Sequence, residues 1–174
     1  MRSRAVALGL LLSVGASPVG AQDTLSQARS EWLIGASFGV PGYGSEPVPE
    51  LFTVGIHWTQ LRPGRLGADF SLGTIPRIVV EGVAVLGVRA GAALPLALAP
   101  RLLVLPSAGV SLIGGVGPGG GGGAAGLNAG VAAVVFGTSS SGLRTGVTWH
   151  RFEDTGGALW LLEVGAVGIP SRSR

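Results

Sequence analysis

Between Arg65 and Gly73 the chain alternates without a break. Leu66, Ala68, Phe70 and Leu72 fall on one parity; Arg65, Gly67, Asp69, Ser71 and Gly73 fall on the other. Successive side chains of a strand face opposite sides of a sheet, so this segment predicts a strand with one apolar face and one charged, glycine-rich face. The same split recurs, with varying clarity, over eight segments: 32–40, 50–59, 65–73, 79–93, 101–112, 124–136, 142–152 and 158–169. The stretches between them, among them PGYGSEPVP, QLRPG, PLALAP, GTSSS and EDTGG, carry the Gly, Pro, Asp and Ser chemistry of turns. The segments reach the roughly 9–11 residues that a tilted strand needs to cross a bilayer.

Two rival architectures fit part of this pattern. Residues 82–113 are apolar enough to suggest helical spans, but Arg89, Pro95, Pro100, Arg101 and Pro106 interrupt them. No uninterrupted apolar run approaches the ~18 residues of a spanning helix. A soluble sandwich would bury the apolar face instead of presenting it to lipid, and alternation alone allows that. Two features favour lipid. Aromatics collect toward both ends of the segments: Trp32, Trp58 and Phe136 at one end, and Phe38, Phe52, Trp149, Phe152 and Trp160 at the other. Two such girdles are the pattern of a barrel seated between two interfaces. The apolar face is also built from small, thin side chains, such as Val80, Ala84, Val88, Ala90 and Ala92, which suit lipid better than a close-packed core. Without helices, only a closed sheet satisfies every backbone group in hydrocarbon. The expected fold is therefore all-β, an eight-stranded antiparallel up-and-down transmembrane β-barrel.

Export is written at the N-terminus. Arg2 and Arg4 precede an apolar run, Ala5 to Ala16, and Val19 and Ala21 supply the small residues before a cleavage site. The domain organisation that follows is a signal peptide over 1–21, a short segment over 22–31, a barrel over 32–169 and a tail over 170–174. The localisation that follows is the bacterial outer membrane. Two of the twelve basic residues lie in the predicted signal, which leaves a net charge of +1 against nine acidic residues. That balance gives no electrostatic footprint for nucleic acid. All twelve basic residues are arginine. The absence of cysteine excludes disulfide staples, thiolate metal sites and acylation at a lipobox.

Extending the parity along each segment assigns His57, Asp69, Glu81, Arg89, Asn128, Arg144, Thr148, His150 and Glu163 to the inner face. The interior of an eight-stranded barrel is just wide enough for side chains to fill it. Charges placed there must pair, because an isolated buried ion is prohibitively costly. Asp69, Glu81, Arg89, Arg144 and Glu163 are thus expected to form a connected lumen charge network, with the arginines offering bidentate geometry. The structural reading is a plug; the functional alternative is a narrow, porin-like ion path. His57 is placed near the periplasmic end of its strand and His150 near the outer rim, so the two are not expected to share a metal, and no cofactor or metal site is foreseen. The block from Gly114 to Gly123 holds a loose GxGxxG, but no helix or GK[ST] follows, so it reads as an extracellular loop rather than a phosphate cradle.

An export signal, eight amphipathic strands, short turns at one end and longer loops at the other resemble the small outer-membrane barrels of the OmpA/OmpX type, without a peptidoglycan-binding domain. The resemblance covers 32–169 and is architectural. It implies an inner cluster of arginine and glutamate, here Glu81, Arg89, Arg144 and Glu163. It also implies contact with outer-membrane lipids and with the barrel-insertion machinery, and a monomer. Such barrels usually end in an aromatic residue; this chain ends Gly168-Ile169-Pro170-Ser171-Arg172-Ser173-Arg174, a departure that implies either a relaxed signal with Ile169 standing in or an effect on membrane insertion. The outer-membrane lipid A deacylases share the architecture and carry a late-strand His, a Ser two residues on and a downstream Glu. His150 and Glu163 are here, but Phe152 occupies the nucleophile position, which leaves no hydroxyl for a base to activate. The expected role is structural or surface-interaction rather than enzymatic. A secreted soluble β-protein is the remaining alternative.

Overall fold

The structure is a computed structural model, and it describes residues 31–62, 64–76, 82–152 and 158–170. The signal, most of the 22–31 segment, Val80, Glu81 and the end of the tail lie outside the described residues. Among the described residues ten strands form: β1 (Glu31–Tyr43), β2 (Glu46–Pro47), β3 (Thr53–Leu61), β4 (Gly67–Thr74), β5 (Ala84–Ala93), β6 (Leu96–Ala99), β7 (Leu102–Gly117), β8 (Gly120–Phe136), β9 (Ser141–Phe152) and β10 (Ala158–Gly168). Eight of them pair antiparallel with their chain neighbours, and β10 pairs back onto β1 from Ile34↔Gly168 to Tyr43↔Leu159. The sheet is closed, so the eight-strand ladder leaves no edge along its length.

β2 and β6 are short additions at opposite ends. β2 folds back on β1 through a two-residue turn whose Gly44 has φ +61°, a left-handed conformation that favours glycine. β6 occupies the PLALAP stretch, expected to be a turn, and pairs Leu96 with Val104 of β7. The glycine block departs further from expectation. It is not a bare loop: β7 and β8 run on as a ladder from Ile113↔Ala124 to Gly117↔Gly120, closed by Pro118 and Gly119 alone. Backbone pairing needs no side chains, so a glycine run can extend a hairpin as readily as it can form a loop. Strand β3 starts later than expected, because Pro49–Leu51 forms a 3-10 turn before it.

Parity sorts the side chains as the alternation predicts. Ile34, Phe38, Ile56, Phe70, Leu72, Leu86, Val110, Leu112, Leu127, Leu143, Leu162 and Val164 are all exposed on the outer surface. The alternate positions of the same strands face inward and are mostly buried or half-buried. Such an apolar outside around a partly polar inside inverts the arrangement of a soluble β-protein. Close backbone approach explains one pair of glycines. Gly91 and Gly109 face each other across β5 and β7, and a Cβ on Gly91 would lie 2.8 Å from the Gly109 Cα.

The interior is layered along the barrel axis. At the end that holds both the start of β1 and the end of β10, Leu33, Leu61, Leu103, Leu105, Ala132, Val134, Phe136 and Val167 form a buried apolar cluster, with Ile169 packed against it. The Ile169 amide also donates to the Ser140 carbonyl at 2.7 Å, which fastens the chain end to the β8–β9 turn. Above this layer the buried side chains become polar.

Candidate functional site

The middle of the barrel holds a cluster built from six strands. Asp69, Arg89, Arg144 and Glu163 are each no more than 6% exposed, and His57 is 3% exposed. Glu163 is the hub. Its carboxylate lies 3.6 Å from Arg144 Nη1, 3.8 Å from Arg89 Nη1 and 3.3 Å from His57 Nε2. Ser37 donates to Glu163 Oε1 at 3.3 Å and sits 2.6 Å from His57 Nε2. Asp69 accepts a hydrogen bond from Thr59 at 2.6 Å and stands 4.0 Å from Arg89 Nη2. Arg89 Nη1 donates to Thr148 at 2.7 Å.

The ion pairs are therefore compact but longer than direct hydrogen bonds. At 3.6–4.0 Å the charges attract strongly in a low dielectric, yet Arg89 Nε and Nη2, Arg144 Nε and Nη1, Glu163 Oε2 and His57 Nδ1 have no hydrogen-bond partner among the described residues. Among the described residues two guanidiniums face two carboxylates, so these four groups balance.

Four of the five residues expected to share a lumen charge network thus come together; Glu81 lies outside the described residues. His57 sits deeper inside the barrel than expected. β3 continues four residues beyond it to Leu61, which places His57 in the middle of the strand rather than at its end. His150 has separate neighbours. Asn128 donates to Ser111 at 2.8 Å, and Ser111 lies 2.9 Å from His150 Nδ1. The imidazole stacks on Phe152 with ring centroids 6.0 Å apart and planes 4° from parallel.

The aromatic expectation needs correcting at two positions. Phe136 and Phe152 are each only 7% exposed and point inward. Phe136 has the parity of buried Asn128 and Phe152 that of buried Arg144, so neither reaches lipid. The other six face outward. Trp32 and Trp58 lie toward the end with the chain termini, opposite Gln60 and Phe70 respectively. Phe52, Trp149 and Trp160 lie toward the other end, where Trp149 and Trp160 are cross-strand partners. Trp160 also covers Gly42 and donates from Nε1 to the Gly44 carbonyl at 3.0 Å. Phe38 is outward but lies nearer the middle of its strand, beside Val54 and Val164.

Sequence reasoning missed Ser37, Thr59 and Ser111, which satisfy the charged and imidazole groups. Each shares the parity of an assigned inner residue or glycine of its strand, so alternation alone could have found them. It also missed that the inner face turns apolar near the chain termini.

Above the polar cluster, toward the end away from the termini, lies a cavity of about 210 Å³. Arg89, His57, Glu163, Ser71, Ser111 and His150 line its deeper part; Pro41, Leu51, Val85, Ile113, Phe152, Leu159 and Leu161 line its apolar wall. The barrel interior therefore runs from a closed apolar layer, through a charge-balanced layer, to a cup.

Closed antiparallel pairing of eight strands around a filled interior defines the class: the fold is that of the small transmembrane β-barrels. Among solved structures, the chain is similar to the N-terminal β-barrel domain of Pseudomonas aeruginosa OprF, with a TM-score of 0.59 and 14% identity over 79% of this chain and 98% of that one. It is similar also to Neisserial surface protein A, with a TM-score of 0.56 and 12% identity over 79% and 96%. Ail, the attachment invasion locus protein of Yersinia pestis, aligns with a TM-score of 0.55 and 10% identity over 81% and 97%. No family model matches the chain, and no curated protein matches it by sequence.

Proposed function

We propose that this chain is a monomeric bacterial outer-membrane β-barrel whose lumen is filled and closed to ions, with a structural or surface-interaction role. The observation that carries this reading is the apolar layer of Leu33, Leu61, Leu103, Leu105, Val134, Phe136 and Val167 across one end of the barrel. A hydrated ion passing there would have to shed its water against aliphatic and aromatic side chains, a cost far above thermal energy. The charge cluster above that layer serves as a plug in this reading, not as a conduction path. With both termini periplasmic, the layer seals the periplasmic side, and the cup and the long β7–β8 hairpin face outward. Such a hairpin and the β1–β2 turn are where a surface partner would meet the protein.

Export through cleavage after residue 21, contact with outer-membrane lipids and delivery by the barrel-insertion machinery complete the proposal. Ile169, anchored to Ser140 and packed on the apolar layer, fastens the end of β10 to the seal. A lipid-modifying activity is disfavoured by Phe152, whose stacking on His150 fills the position where a hydroxyl nucleophile would stand.

Fractionation with detergent extraction and a gel of unheated against boiled samples tests the placement. The expected result is recovery in the outer membrane with heat-modifiable migration; recovery as a soluble periplasmic protein overturns it. Planar-bilayer recording tests closure, and the expected trace has no discrete steps. Unitary events that change on substituting Arg89 would support the narrow-pore alternative instead.

A further inference from the structure

Inward-facing apolar side chains are packed at one end of the lumen and left uncovered at the other. Leu33, Leu61, Leu103 and Leu105 in the seal are no more than 3% exposed. Val85, Ile113, Leu159 and Leu161 share the inner parity of Arg89, Ser111 and Glu163, yet they are only half-buried. Together with Phe152 they border the cup of about 210 Å³. Its polar neighbours direct their hydrogen bonds at the barrel itself. Thr74 donates to the Val85 carbonyl at 2.6 Å, Ser111 and His150 meet at 2.9 Å, and Arg89 donates to Thr148 at 2.7 Å. His57 and Glu163 both bond Ser37. The atoms of Arg89, His57 and Glu163 that lack a partner are sealed off and do not reach the cavity surface. The surface that a ligand would meet is therefore almost wholly apolar.

We propose that the cup binds a compact hydrocarbon, a substituted single ring or a branched body of like bulk, that carries no hydrogen-bonding group. The lining selects against polarity: a hydroxyl or a charge brought there gives up its water and gains no partner. Apolar contact is what remains to be made, because half-buried Val85, Ile113, Leu159 and Leu161 still have surface to cover. Size sets the scale. An apolar cavity of about 150 Å³ holds benzene, and this one is moderately larger. Depth sets the shape. Arg89 and Glu163 close the base, so an extended chain pushed inward would run onto buried charge, whereas a compact body stays above it. This inference goes beyond the structural role proposed above and requires only the folded barrel.

The test uses the full mature chain in phosphatidylcholine nanodiscs, with isotope-labelled isoleucine and leucine methyl groups observed by NMR. Toluene, phenol and n-heptane are the probes, and each affinity is referred to the probe's concentration in the bilayer. Ile113 and Leu161 report the cup; Leu127 and Leu143, exposed on the outer surface, report probe dissolved in lipid. The expected result is saturable shifts and intermolecular Overhauser contacts with toluene at Ile113 and Leu161, against unsaturated drift at Leu127 and Leu143. Phenol, with a hydroxyl in place of the methyl group, should bind the cup at least about ten-fold more weakly. Toluene contacts confined to the outer-surface methyls overturn the site. Equal binding of phenol overturns the apolar assignment, and tighter binding of n-heptane than of toluene overturns the compact shape and gives the cup to an aliphatic tail. Leu161→Trp and Ile113→Trp fill the cup from different strands, and each that folds should lose saturation at the remaining cup methyls; a folded variant that keeps it overturns the site as well. Heat-modifiable migration of each variant, measured alongside, separates failure of the cup from failure of the barrel.

Discussion

Glu163 is the residue through which the interior is wired, and its removal should be felt throughout the barrel. In Glu163→Gln the carboxylate shared by Arg89 and Arg144 becomes a neutral amide, so two guanidiniums are left facing Asp69 alone. Asp69 lies 4.0 Å from Arg89, and Glu163 is the carboxylate that meets Arg144 among the described ion pairs. Breaking a buried ion pair by removing one partner costs about 3–5 kcal/mol, because the surviving charge is stranded in low dielectric. Arg144→Met should cost a similar amount for the opposite reason, leaving an excess negative charge. The double variant restores balance with the Asp69–Arg89 pair intact, so its loss should be smaller than the sum of the two by about 1–3 kcal/mol. Urea unfolding in lipid vesicles, read by tryptophan fluorescence and by gel migration without boiling, supplies the three free energies. Two single variants within about 0.5 kcal/mol of the parent, a range typical of surface sites away from special features, would refute the network. So would a double variant that is strictly additive, since groups in one buried network must couple.

Phe136→Ala removes the largest side chain of the apolar layer and should lower stability by about 3–5 kcal/mol; in planar bilayers the same variant should show leak events that the parent lacks. An equally silent Phe136→Ala would mean that closure resides elsewhere in the lumen. Gly91→Ala should destabilise the barrel by about 1–3 kcal/mol, the usual cost of overpacking, because its Cβ would strike the Gly109 backbone. Gly122→Ala, which meets nothing within 4 Å, should stay close to the parent in the same urea titration.

How much of this was legible beforehand differs by feature. Alternation identified the strands and their apolar face, because a period of two is a local property of the chain and survives any tertiary arrangement. The inner charges were legible for the same reason, and Asp69, Arg89, Arg144 and Glu163 do converge. Phe136 and Phe152 were misplaced by residue type: aromatic character suggested an interface, while their parity, shared with Asn128 and with Arg144, already pointed inward. The glycine block was misread because composition reports backbone freedom and not backbone pairing.

Which inner residues share a level along the barrel axis could not be read from the chain. Ser37 and Glu163 are 126 residues apart, yet they bond because β10 closes against β1 in one particular register. A shift of two residues would keep every side chain on its own face while separating that pair. Parity alone therefore determined strands with one apolar face and one charged, glycine-rich face. The tertiary structure decided the stacking of the inside, an apolar seal, a balanced charge layer and a cup, because only strand register and barrel closure set the height at which each inward side chain meets the others.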